Sequence, residues 1–64
     1  MRKVMTVEVR GPDPFTLFKE GKLLLEHQPP ITLTHLFIST EEMGELSVAL
    51  PRDTRIKVLS HEDP

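Results

Sequence analysis

Lys3-Val4-Met5-Thr6-Val7-Glu8-Val9-Arg10 is the stretch on which the fold turns. Met5, Val7 and Val9 alternate with Val4, Thr6, Glu8 and Arg10, a period of two that gives one apolar face and one mostly polar face. Four of the eight residues are β-branched, which suits a pleated surface. The segment predicts a β-strand packed on one side. Gly11-Pro12-Asp13-Pro14 ends it, since the two prolines bring no backbone donor and fix their own φ.

The same pattern recurs toward the C-terminus. Phe15-Thr16-Leu17-Phe18 and Leu23-Leu24-Leu25-Glu26 flank Lys19-Glu20-Gly21-Lys22, where Gly21 supplies the positive φ of a tight hairpin turn. A rival helix across residues 14–26 fits the apolar spacing only in part and places Gly21 in its interior, at a cost of about 1 kcal/mol relative to Ala. Gln28-Pro29-Pro30 breaks the chain again, and Ile31-Thr32-Leu33-Thr34 resumes alternation. The run Leu36-Phe37-Ile38 interrupts it, as a bulge or a strand buried on both faces would.

Ser39-Thr40-Glu41-Glu42 has the form of a capping box, with Gly44 placed to end a single helical turn. Leu46-Ser47-Val48-Ala49-Leu50 reads as a further strand, and Thr54-Arg55-Ile56-Lys57-Val58 as the last, with Pro51-Arg52-Asp53 turning between them. Leu46, Val48, Leu50, Ile56 and Val58 then share the inward parity. The expected fold is mainly β: a small antiparallel barrel or sandwich of five to six strands, with at most one helical turn near 40–44. Residues 1–64 form one domain, and the polar stretch 60–64 is expected to fray.

Composition sets limits on function. A 64-residue chain hides only roughly 60% of the surface its unfolded form exposes, and such chains gain from disulfides, a metal or a partner. With no Cys, disulfides and thiolate metal sites are excluded, which leaves a partner chain; a homo-oligomer is expected. The net charge of −2 gives no overall basic field for nucleic acid or an anionic membrane. Leu23-Leu24-Leu25 is far short of the ~20 apolar residues of a membrane span, and Glu8 and Arg10 interrupt what would be a signal peptide's apolar core. The chain is therefore expected to be a complete small cytoplasmic protein that meets no membrane.

Few constellations carry chemistry. There is no Cys nucleophile and no Gly-x-Ser-x-Gly elbow, and the glycines at 11, 21 and 44 are too scattered to cradle a phosphate. A Ser47–His35–Asp53 combination is one any chain of this size offers, so no enzyme is expected. His27, His35 and His61 show no ligand spacing, and no metal or cofactor is expected; His35 reads as a strand-edge or bulge residue, His27 and His61 as solvated. Phe15, Phe18 and Phe37 are read as core, although Phe15 and Leu17 share a parity that Phe18 does not, which points to an interface.

The candidate binding residues are Arg52, Arg55 and Lys57. Arg55 and Lys57 lie on one face of their strand, opposite Ile56 and Val58, where two cations suit a phosphate, a carboxylate or an acidic protein. The same pattern also serves simply to solubilise a sheet and to protect its edge. The first functional expectation is a non-catalytic protein-binding regulator, an inhibitor or adaptor of a larger protein. The alternatives are a homo-oligomer that binds a small anionic ligand such as a nucleotide between subunits, and a structural component of an assembly.

Overall fold

The computed structural model describes residues 2–62. Within it β1 (Arg2–Arg10) is the middle strand of a three-stranded antiparallel sheet, flanked by β4 (Ile31–Ser39) and β5 (Arg55–Glu62). β2 (Phe15–Lys19) and β3 (Lys22–His27) form a separate two-stranded sheet. The helix α1 (Thr40–Ala49) joins β4 to β5. The protein is thus mainly β with one short helix, its strands in two small antiparallel sheets that do not close into a barrel.

Alternation along β1 works as its sequence requires. Met5, Val7 and Val9 are buried, and directly opposed residues on antiparallel strands share a face, so Leu36 lies beside Met5 and Ile56 beside Val9 on the inner side. Leu25 of β3 and Met43 and Leu46 of α1 complete the core against this face, with Ile38 of β4. The outer face carries the other parity: Val4 opposite Phe37, Glu8 between Leu33 and Lys57, Arg10 between Ile31 and Arg55. A register shift between Thr6 and Val7 leaves Leu59 as the extra residue on β5. β5 runs to Glu62, so strand pairing reaches into the segment expected to fray, and Asp63 and Pro64 lie outside the described residues.

The segment from Phe15 to His27 is the hairpin, not the rival helix. Lys19 pairs with Lys22, and the two residues between them, Glu20 and Gly21, have φ of 52° and 77°, the two positive values of a type I′ turn. Phe15 and Leu17 pack on the core, whereas Phe18, beyond a register shift, is 67% exposed opposite Leu23. Phe18 and Phe37 are therefore surface residues rather than core, as the parity conflict among the aromatics foreshadows for Phe18. The chain leaves the hairpin through a cis Pro29–Pro30 bond and enters β4.

Two expectations at α1 need correction. The helix runs ten residues rather than one turn, and Leu46–Leu50 is not a strand. Ser39 caps it: the Glu42 amide donates to Ser39 Oγ at 3.1 Å and the Ser39 amide to Glu42 Oε1 at 2.9 Å, the reciprocal pair of a capping box. Gly44 lies in the interior of the helix rather than ending it. Met43, Leu46 and Leu50 follow one another at spacings of three and four and face the core, while Val48 is 88% exposed. Pro51 follows the extended C-cap Leu50, and the turn that leads to β5 closes with Thr54 N donating to Pro51 O at 3.2 Å.

Candidate binding face

The outer face of the three-stranded sheet brings together most of the chemistry that is not spent on folding. β4 contributes Ile31, Leu33, His35 and Phe37, all exposed, with Leu33 at 65% and Phe37 at 52%. β1 adds Val4, Thr6, Glu8 and Arg10, and β5 adds Arg55 and Lys57. The face therefore grades across its three strands, from an apolar stripe on β4 to a cationic one on β5. His35 divides the apolar stripe, with Ile31 and Leu33 on one side and Phe37, beside Val4, on the other.

Of the three residues singled out from sequence, Arg55 and Lys57 stand on this face together, both exposed. Arg52 is exposed in the turn before β5. Arg10 is the residue sequence reasoning missed. Pairing of β1 with β5 sets it directly opposite Arg55, and its Nε donates to Glu8 Oε1, which holds the Glu8 carboxyl below its ordinary pKa and raises that of Arg10. Its outward parity was legible in β1; its neighbour on β5 was not. Lys57 opposes Glu8 and also favours the ionised carboxylate. Thr6 Oγ1 and His35 Nδ1, opposite one another, lie 3.0 Å apart and tie β1 to β4 on the same face.

The second polar cluster serves the fold. Glu42 receives Lys19 Nζ at 2.9 Å and Arg2 Nη2 at 3.5 Å in addition to the Ser39 amide, so one carboxylate joins the hairpin, the start of β1 and the helix N-terminus. The Lys19 hydrogen bond first, and then the Ser39 amide, bring its pKa down from 4.5 to about 2. A cleft of about 220 Å³ opens beside it, between the hairpin tip at Leu23 and Leu24 and the end of β4 at Phe37 and Ile38.

His27 is fully buried, not solvated, which corrects the expectation for it. Its Nε2 lies 3.0 Å from the Gly11 carbonyl, which can only accept, so Nε2 is the donor of that bond, and Nδ1 lies 2.8 Å from Thr32 Oγ1. Phe15 packs on the ring at a centroid distance of 5.3 Å. These contacts pin the β3–β4 corner to the end of β1 and leave no open position for a ligand. The signal was there: His27 shares the parity of Leu25 and opposes that of Glu26. The expectation for His61 falls on a side chain outside the described ones.

Among the described residues, no three His, Asp or Glu side chains gather as a metal would require, and no helix is long and apolar enough to cross a membrane. Compared with known proteins, the chain matches no family model, no curated protein and no solved structure.

Proposed function

We propose that this chain is a non-catalytic protein-binding regulator that docks a larger protein on the outer face of its three-stranded sheet. The observation that carries the reading is the segregation on that face, apolar along β4 through Ile31, Leu33 and Phe37 and cationic along β5 through Arg55 and Lys57, with Arg10 beside them. A partner that fits it presents an apolar ridge bordered by carboxylates. The apolar stripe supplies affinity by burial, while the cations set orientation and approach rate. In this reading the hairpin and α1 form the second layer, packed on the inner face of the docking sheet. A cytoplasmic location belongs to the same reading, and the absence of Cys is compatible with it.

The test is affinity capture with the immobilised chain, run beside two folded variants. Arg55→Glu with Lys57→Glu reverses the cationic stripe, and Val4→Ser with Leu33→Ser thins the apolar one. A partner retained by the wild type and lost by both pairs supports the reading. A bound set that neither pair alters refutes it, provided that both keep the wild-type circular dichroism spectrum.

One observation favours a second reading, a small anionic ligand. Arg10 and Arg55 are like charges directly opposed on neighbouring strands, an arrangement unfavourable by itself and relieved by a bound carboxylate or phosphate. Glu8 already bonds to Arg10, which weighs against it. A nucleotide titration followed by the amide shifts of residues 8, 10 and 55 decides between the two.

A further inference from the structure

We propose that a second copy of this chain pairs with β4 edge to edge, antiparallel and centred on His35, so that the two three-stranded sheets become one of six strands. The proposal names one partner of the docking surface and rests on the reading above only for the use made of the enlarged face. The seam itself stands on β4.

The sheet has two outer strands, β4 and β5, each with one unpaired edge among the described residues. They differ in how that edge is protected. β5 carries Arg55 and Lys57 and the extra residue at Leu59, charges and a bulge that discourage pairing. β4 spans nine residues, Ile31–Ser39, and contains no Asp, Glu, Lys or Arg and no proline. An uncharged edge of that length, with Leu33 and Phe37 exposed, is a template for another strand. Charge also selects the occupant: two copies of β4 meet without like-charge repulsion, which two copies of β5 do not. The hairpin makes no strand pairing with β4, although its tip at Leu23 and Leu24 faces the end of β4 at Phe37 and Ile38 across a cleft.

Symmetry fixes the parity of the register, and full overlap sets its centre. A two-fold axis normal to the sheet keeps the buried faces of both copies on the same side, so odd residues meet odd ones and even meet even. Full overlap of a strand running from 31 to 39 then centres on its midpoint. His35 meets His35 of the second copy, Leu33 meets Phe37 twice, and Thr34 meets Leu36 twice. Each Leu33–Phe37 contact is an aromatic–aliphatic cross-strand pair that covers the two most exposed apolar groups of β4. The outer faces of the two copies become continuous, with a doubled apolar stripe at the centre and a cationic stripe at either side.

Nine residues at ~3.4 Å each give a seam of about 30 Å, and with a sheet about 10 Å thick it covers roughly 300 Å² per copy. That is less than half of the ~800 Å² per partner of a standard interface, so the dimer is a dissociable one. Sedimentation velocity is expected to show twice the chain mass at about 100 μM and the single mass at about 1 μM. His35→Lys, which sets two ammonium groups face to face on an exposed position, is expected to weaken association at least about fivefold.

The register is read by cross-linking. The chain has no Cys, so each introduced thiol is unique. With a short bis-maleimide, His35→Cys is expected to give covalent dimer, Leu33→Cys and Phe37→Cys little when each is alone, and a mixture of those two a strong heterodimer. A single mass at about 1 mM, or cross-linking strongest at Arg55→Cys, overturns the seam. If the seam fails while capture still depends on Arg55 and Lys57, the docking reading stands without it. A β4 dimer without that dependence supports the seam and removes the docking reading.

Discussion

Replacing Gly44 by Ala should stabilise the protein, and the size of the effect tests whether the stretch after Ser39 is a helix. Gly44 is the fifth of ten residues in α1, far enough from both caps for interior propensity to apply. A Cβ built there meets nothing within 4 Å, so the methyl brings neither a clash nor a packing gain. What remains is the backbone preference, 0.8–1.0 kcal/mol in favour of Ala, which arises largely because the unfolded chain has less freedom to lose. For a domain of this size ~1 kcal/mol corresponds to a rise in Tm of roughly 4–8 °C. In urea, with a slope near 1 kcal/mol/M, it moves the midpoint by about 1 M. Both melts are run at equal chain concentration, because the proposed self-association would make Tm concentration-dependent. An unchanged or lowered Tm would refute the reasoning, since a strand or a helix end at Gly44 offers no such gain.

Three further outcomes are expected. Leu46→Ala should cost about 2–5 kcal/mol and Val48→Ala almost nothing, because Leu46 is buried and Val48 is not; comparable losses in urea melts would restore the strand that the alternation suggests. Gly11→Ala should destabilise by about 1–3 kcal/mol, because its Cβ would lie 2.6 Å from Thr54 Oγ1 and 3.2 Å from Thr54 Cα, and adding Thr54→Ala should recover part of that loss in a double-mutant cycle. Glu42 has a folded pKa of about 2 against an ordinary 4.5, so its contribution is complete above about 4.5 and disappears as pH falls toward 2; urea midpoints across that window should fall more steeply for the wild type than for Glu42→Gln, the slope left in the variant coming in part from Glu8.

How far the sequence could be read follows from how local each signal is. The alternation of β1 needs eight neighbouring residues and nothing else, and the hairpin needs Gly21 between two apolar runs; both were legible for that reason. The missed helix shows the limit. Leu46 and Leu50 are four apart, a spacing that a period of two and a period of 3.6 share, so five alternating residues cannot separate them. Met43 breaks the tie, because 43, 46 and 50 fit only a helix, and the Ser39–Glu42 box was already pointing at its start. Burial of His27 needed one more step of parity along β3. The candidate face is different in kind. That Arg55 and Lys57 share a side was readable within one strand, but Arg10 joins them, and Leu33 and Phe37 lie two strands away, only because β1 sits between β4 and β5. Sheet order is a long-range property with no local signature.

The distribution of apolar side chains is what supports the proposed docking face. Only eight apolar residues are buried, yet nine large ones are exposed among the described residues. A chain this short stands close to the limit of what burial can stabilise, so leaving Leu33, Phe37 and Ile31 in water forgoes stability it can scarcely spare. Four of the nine, Val4, Ile31, Leu33 and Phe37, belong to this face, and the other five lie on the hairpin, the helix and β5. Three of the nine are on β4, and Val4 stands opposite one of them, while the cations gather on the far strand. Had solubility alone been served, the alternating positions of β4 would carry the charges found on β5, and the edge would be protected as that of β5 is. In the edge pairing proposed above, the uncharged edge of β4 admits a strand while the charges and bulge of β5 keep the assembly from growing further.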